Sequence, residues 1–410
     1  VVLKDLNHCE GSGDRPSHGF CSWLGMSVTL VALGTLLTAC GLPQMEAADR
    51  LFSGVGLTLL DDYELTLPTF EDTPIGGLSA ITYDRQRDLF YVLADDRSVK
   101  APARFYTLNL AFAFPEQAAA QMTARPKLET VTVESVTFLR DEARAFYPPG
   151  SLDPEGMALT PAQTLFISSE GDTNRGVDPF IGEFDLATGH LQRYLPLPKR
   201  YRLDNLAKPQ RGVQNNLGFE ALTLGPTGLA QGEPLRLFVA TEAPLIQDED
   251  PDRPSEEERP NRFLHYLIGN GSPELIAEYF YPLNPPPPSG VNGLVELLAL
   301  DQRGNFLSLE RSASLDGFQA QIFEVAIDGA TDTSRIASLK GNLDNTMPLS
   351  KRRILDLATL EISLDNLEGM TFGPYLPDGS RTLVLVSDSN FREEQKTQFL
   401  WFRLDAAALP

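Results

Sequence analysis

The chain has 410 residues, 42% of them apolar and 9% aromatic, enough for a large core. Its formal net charge of −22 excludes a nucleic-acid backbone or an anionic membrane face as the main partner and suits cations better. A solvated acidic surface is the plainer account of the same charge.

The first forty residues are expected to stand apart from the fold. Residues 28–39 form an uncharged, apolar-rich run, too short to span a bilayer and suited to the core of a signal peptide. The run ends in Leu37-Thr-Ala-Cys40-Gly41, which resembles the lipobox of bacterial lipoproteins, where the cysteine becomes the lipidated first residue. The upstream stretch is long and partly acidic, and translation from Met26 would shorten it. The expectation is a leader over 1–40, a tether over 41–53 and a folded domain over 54–410. Such a protein is exported, held to a membrane by lipid on Cys40, and faces the periplasm or exterior. Cys9 and Cys21 fall within the leader, so the mature chain has no cysteine pair for a disulfide.

Residues 54–67 have strand composition. One hairpin pattern then recurs five times. Ser79-Ala-Ile-Thr-Tyr precedes Phe90-Tyr-Val-Leu-Ala-Asp95, and Glu155-Gly-Met-Ala-Leu precedes Leu165-Phe-Ile-Ser-Ser-Glu170. Glu220-Ala-Leu-Thr-Leu precedes Leu237-Phe-Val-Ala-Thr-Glu242, and Glu296-Leu-Leu-Ala-Leu precedes Phe306-Leu-Ser-Leu-Glu310. Glu368-Gly-Met-Thr-Phe precedes Leu383-Val-Leu-Val-Ser-Asp388. The copies start 76, 65, 76 and 72 residues apart, the mark of a repeat architecture.

Two further strand candidates follow each hairpin: 104–110 and 128–136, 180–186 and 190–195, 262–268 and 275–280, then 321–327 and a segment near 335–339. The last copy has only 398–404. Four-stranded units arranged radially make an all-β β-propeller. Five blades follow from the motif count, and the strand at 54–67 would complete the fifth. The apolar segment 353–360 leaves a sixth blade open. Helical periodicity is confined to 116–122, while 248–260 and 285–288 read as an acidic loop and a polyproline stretch.

Antiparallel pairing of each hairpin would set Glu155 opposite Glu170 and bring nine carboxylates to one face near the axis. Glu155, Glu220, Glu296 and Glu368 are the candidate catalytic carboxylates. Asp95, Glu170, Glu242, Glu310 and Asp388 are the candidate metal ligands. Crowded carboxylates cannot all ionise without a counter-charge, and hard cations such as Ca²⁺ supply one. Arg97, Arg104, Arg175, Arg262, Arg311 and Arg392 follow the second strands and could clamp phosphate. Alternatively, each acid accepts backbone N–H groups of the next blade and welds the ring. Ser79 stands where the other copies have Glu and would leave room on that side. His190 and His265 sit in alternating strand patterns that suit packing. A Gly-x-Ser-x-Gly elbow and Cys/His metal spacing are both absent from the sequence.

The Glu-Gly-Met strands, Asn216-Leu-Gly-Phe-Glu-Ala-Leu, Phe238-Val-Ala-Thr-Glu-Ala and Asn366-Leu-Glu-Gly-Met with Val386-Ser-Asp-Ser-Asn-Phe together resemble the phytase-like family over residues 56–405. Members of that family are described as having esterase-like activity of phytase. The resemblance implies a propeller and a calcium-dependent phosphoric-ester hydrolase. The expected partner is a small-molecule phosphate ester or other ester, and the expected state is a monomer. No stretch matches, residue by residue, the active-site motifs of β-propeller phytases. Two other readings use the same residues: a lactonase-type metal hydrolase, and a non-catalytic propeller that binds a ligand or a protein.

Overall fold

The computed structural model describes residues 51–114, 126–206, 208–226, 233–269, 271–341, 343 and 345–406. The leader, the tether up to residue 50 and the helix expected over 116–122 lie outside them. Strand β1 (Val55–Leu65) is followed by a small hairpin of β2 (Thr69–Phe70) and β3 (Thr73–Pro74). The first blade is β4 (Leu78–Asp84), β5 (Leu89–Ala94), β6 (Arg104–Ala113) and β7 (Lys127–Phe138). The second is β8 (Pro154–Leu159), β9 (Thr164–Ser169), β10 (Phe180–Asp185) and β11 (Leu191–Tyr194). The third is β12 (Phe219–Leu224), β13 (Leu235–Thr241), β14 (Arg259–Ile268) and β15 (Glu274–Leu283). The fourth is β16 (Val291–Ala299), β17 (Asn305–Ser314), β18 (Gly317–Ala326) and β19 (Ser350–Asp356).

The fifth blade has the order β1-β22-β21-β20, from β20 (Asn366–Phe372), β21 (Arg381–Asp388) and β22 (Thr397–Ala406). The N-terminal strand therefore closes the ring, with Val55 opposite Ala406 and Leu65 opposite Thr397. The inner strands touch in the cycle β4, β8, β12, β16, β20 and back to β4. The fold is a five-bladed β-propeller. Two short 3₁₀ turns, Lys199–Tyr201 and Leu357–Leu360, are the helical pieces among the described residues, and no helix there is long and apolar enough to cross a membrane.

Burial follows position in the blade. Inner strands are packed on both faces and buried almost throughout, whereas β7, at an outer edge, alternates exposed and buried residues along most of its length. The apolar core is divided into five seams, one between each pair of adjacent blades. In the seam between the fifth and first blades Trp401 is fully buried, with the Phe112 ring 4.6 Å away and the Phe114 ring 5.9 Å away.

Two expectations need correction. The fourth strand of the fourth blade is β19, not the segment near 335–339, so 353–360 makes no sixth blade. The polar backbone of 335–339 is engaged elsewhere: the Ile336 carbonyl accepts from Arg200 at 3.0 Å, and the Leu339 N–H donates to Asp248 at 2.7 Å. The end of the expected tether is also held in place. Ser53 and Gly54 donate their N–H groups to Glu324, and Phe52 lies under the Arg352 guanidinium at 4.8 Å. Truncation of the buried indole tests the closing seam. Trp401→Ala should cost about 3–5 kcal/mol and lower the thermal midpoint by many degrees; an unchanged melting curve would contradict this packing.

Candidate functional site

Every inner strand carries a β-bulge near its start. In β8, Pro154 faces Ser169 and Met157 faces Ile167, so Glu155 and Gly156 crowd the place of one residue. The same irregularity falls on Ser79 in β4, on Glu220 and Ala221 in β12, and on Glu368 in β20. A bulge re-aims the side chain it carries, and Glu155, Glu220 and Glu368 line one cavity on the axis. The bulge also corrects the expected register. The Glu170 N–H donates to the Asp153 carbonyl at 2.9 Å, so Asp153, not Glu155, stands across from Glu170. Gly156 is required here, because a Cβ would overlap the Glu220 carbonyl oxygen of the neighbouring inner strand.

The fourth blade is displaced by one residue. Leu294 faces Glu310, Glu296 faces Leu309, and the bulge falls on Val295. Glu296 thus lies one step past the bulge, where it accepts N–H bonds from Leu297 at 2.9 Å and Leu222 at 3.3 Å. It lines a second cavity further along the same inner strands rather than the first. Glu310 turns away as well, accepting from Tyr281 at 2.8 Å, Asn292 at 3.0 Å and Lys351 at 2.7 Å. Of the nine acids expected together, these two are elsewhere.

The other seven do converge. Asp95, Glu155, Glu170, Glu220, Glu242, Glu368 and Asp388 line a cavity of about 240 Å³, together with Arg311, Arg392, Asn216, Asn366, Asn390 and Phe318. Burial and mutual repulsion push Asp95, Glu155, Glu170 and Glu220 well above the usual carboxylate range. Glu368 is pushed up to about 8 by burial and the neighbouring Asp388, against the pull of Arg311, and Asp388 to about 6, chiefly by burial. Buried among them, the Arg311 guanidinium is 2.9 Å from Glu368, 3.5 Å from Glu242 and 3.8 Å from Glu220.

The remaining arginines divide. Arg97 donates through Nε to Asp153 at 2.6 Å, pairs with its second oxygen and donates to Asn216, so it stands at the edge of the site. Arg392 lines the cavity, while Arg175 is largely exposed and pairs with Asp172 at 3.5 Å. Arg104 and Arg262 are fully buried inside their blades, on Asp96 at 2.7 Å and on Asp248 at 2.6 Å, and reach no substrate. Ser79 donates its hydroxyl to the Glu155 carbonyl at 3.0 Å and secures the bulge beside it. His265 is stacked on Phe238 at 4.3 Å, and neither it nor His190 lines the cavity.

Sequence reasoning missed Asp153, Asn216, Asn366, Asn390 and Phe318 as site residues. Asp153 and Asn366 could have been found by aligning the hairpins on their second strands. They then share a column with Gly77, Gly218 and Gly293, each across from the residue that ends the hairpin.

Among the described residues three groups of carboxylates place oxygen atoms within 4.8 Å of one another: Asp95, Asp153 and Glu155; Glu155, Glu220 and Glu368; and Glu170, Glu220 and Glu242. That separation is the span of two oxygens each about 2.4 Å from one Ca²⁺ ion. Glu220 Oε2 and Asn366 Oδ1 are buried with no hydrogen-bond partner among the described residues. Hard oxygen donors in this arrangement fit a calcium-type cation, and soft-metal ligands do not contribute.

Residues 73–391 match the phytase-like family, described as esterase-like activity of phytase. No curated protein sequence matches the chain. Among solved structures, an endo-arabinase from Bacteroides thetaiotaomicron is 11% identical over 82% of this chain and 96% of its own, with a TM-score of 0.38. The catalytic domain of a Coprinopsis cinerea α-L-arabinofuranosidase is 10% identical over 88% and 100%, with a TM-score of 0.38. Hydrazine synthase of Kuenenia stuttgartiensis is 9% identical over 80% of this chain, with a TM-score of 0.31, and the chain spans only 61% of it. None of these three informs the chemistry of this chain.

Glu368 holds its proton up to about pH 8 when folded, against an ordinary 4.5. Between those values the folded state binds more protons than the unfolded one, so stability falls as pH rises. In chelator the melting temperature should therefore decline from about pH 5 to about pH 8, and Glu368→Gln should flatten the decline. A wild-type melting temperature that climbs across that window would refute the assignment.

Proposed function

The chain belongs to the phytase-like family, and on that premise we propose that it is a divalent-cation-dependent phosphoric-ester hydrolase working at the acidic end of the propeller axis. One observation carries the reading: seven carboxylates, six buried and Asp95 half-buried, converge on a single cavity around one embedded guanidinium. That imbalance calls for a further cation. Bound there, Ca²⁺ would offset the carboxylate charge and polarise a phosphoryl oxygen.

The protein's own groups have separable tasks. Arg392, at the exposed edge of the cavity, offers a planar fork to the phosphate. Glu220 keeps one oxygen without a hydrogen-bond partner among the described residues and is placed to take a proton from an attacking water. Asn216 and Asn390 present amides to the hydroxyls of the alcohol portion, and Phe318 shields one side from solvent. The protein is proposed to act as a monomer on a small-molecule phosphate ester.

Calcium titration of the purified protein, followed by calorimetry and thermal melting, tests the cation. Binding should raise the melting temperature and release protons. Hydrolysis of a phosphate monoester in Ca²⁺ should fall at least about 100-fold in Glu220→Gln and about tenfold or more in Arg392→Ala. A lactone cleaved equally well by Arg392→Ala and wild type, with no phosphate ester turned over, would replace this reading by the lactonase one. Failure to bind Ca²⁺ or Mg²⁺ would leave a binding propeller.

Export and lipid anchoring are proposed on the lipobox-like Leu37-Thr-Ala-Cys40-Gly41. Cys40→Ala should move the protein from the membrane to the soluble fraction; an unchanged distribution would remove the anchor from this account.

A further inference from the structure

The ring of acids is broken at one place, and the register identifies it. In the third blade Glu242 donates its N–H to Gly218, and Gly218 packs against Glu170 of the blade before. In the fourth blade Gly293 packs in the same way against Glu242, and the residue across from Gly293 is Arg311. Asp95 faces Gly77, Glu170 faces Asp153 and Asp388 faces Asn366 at this position. Four blades thus present an acid to the axis and the fourth blade presents a guanidinium.

We propose that Arg311 is a resident cation filling one of two seats in the acidic ring, and that Asp95, Asp153 and Glu155 form the seat left for a single divalent ion. The proposal rests on the metal-dependent reading above and adds where the ion sits and how many the site takes.

The distribution of partners supports it. Arg311 pairs with Glu220, Glu242 and Glu368. Two of the three carboxylate groups that can hold an ion contain those residues, so the guanidinium already stands where a metal would. The third group, Asp95, Asp153 and Glu155, contains none of them. Among the described residues the cation paired with it is Arg97, which is spent on Asp153. Glu155 is 7% exposed, lines the cavity, and its carboxylate makes no hydrogen bond or ion pair among the described residues. Once ionised, three carboxylates against one guanidinium leave a deficit of charge that one divalent ion removes. Asp153 and Glu155 are held on either side of Pro154, where the bulge begins, and Ser79 holds the Glu155 backbone, so the seat is built by two adjacent blades.

The test is the number of Ca²⁺ ions bound per chain, measured by calorimetry on the wild type, Arg311→Gln, Arg311→Lys and Glu155→Gln, with thermal melting as a second readout. Wild type and Arg311→Lys should bind one ion. Arg311→Gln should bind two, because its vacated seat keeps Glu170, Glu220 and Glu242, whose oxygens lie within 4.8 Å of one another. Glu155→Gln should bind none, or bind at least about 100-fold more weakly. If wild type and Arg311→Gln both bind one ion, Arg311 is not a resident cation, although the metal-dependent reading survives. If wild type binds none and Arg311→Gln binds one, Arg311 does fill a seat and it is the metal-dependent reading that fails. Binding by neither overturns both. Should Arg311→Gln not fold, Glu155→Gln decides the seat: unchanged one-ion binding overturns the assignment, and loss with an unchanged calcium-free melting curve supports it.

Discussion

Pairing of β1 with β22 is the contact that holds the ring together. It joins segments far apart in sequence: Thr58 and Asp405, separated by 347 residues, are hydrogen-bonded at 2.6 Å. Closing so long a loop is costly in chain entropy, and the five apolar seams between blades offset that cost. Once the ring is closed, five inner strands must share one axis. Side chains aimed inward by their bulges then have no way to avoid one another. The acidic cavity follows from ring closure acting on strands that each begin with, or face, a carboxylate.

Within that constraint the buried acids meet two fates. Some are answered by the protein's own groups. Glu296 accepts from two inner strands at once, and Glu170 accepts the Gly218 N–H at 2.5 Å on one oxygen and ties the second blade to the third. The buried pairs of Arg262 with Asp248 and Arg104 with Asp96 belong to this class, sitting inside single blades away from the axis. Others are answered incompletely. Among the described residues Glu155 has no hydrogen-bond or ion-pair partner for its carboxylate, and Glu220 keeps one oxygen alone. Burying charge without compensation is unfavourable, so the second class marks where a ligand would lower the free energy most. Arg311 stands on the border between the two, a structural counter-ion placed inside a candidate reaction site.

Much of this is legible in the amino-acid order alone. The five copies and the missing fourth strand of the last blade point to five blades closed by the N-terminal strand, with a sixth left open by 353–360. Ring closure also explains why 353–360, read as a spare strand, belongs to the fourth blade: an outer strand is needed there once 335–339 is taken up by Arg200 and Asp248. The acidic face is legible in outline, since Asp95, Glu155, Glu170, Glu220, Glu242, Glu368 and Asp388 do meet. The departure of Glu296 and Glu310 is not. Their motif, Phe306-Leu-Ser-Leu-Glu310-Arg311, ends one residue later than the pattern suggests when it is counted to the acid.

The architecture is therefore written in the linear chain, because apolar period and hairpin spacing are local properties that survive without knowledge of neighbours. Which acids face the axis is settled only on folding. A bulge inserts one residue without disturbing the apolar pattern, yet it reverses the face of every side chain beyond it. The place of Arg311 is settled the same way, since its partners Glu220, Glu242 and Glu368 come from two other blades that meet the fourth only when the ring closes.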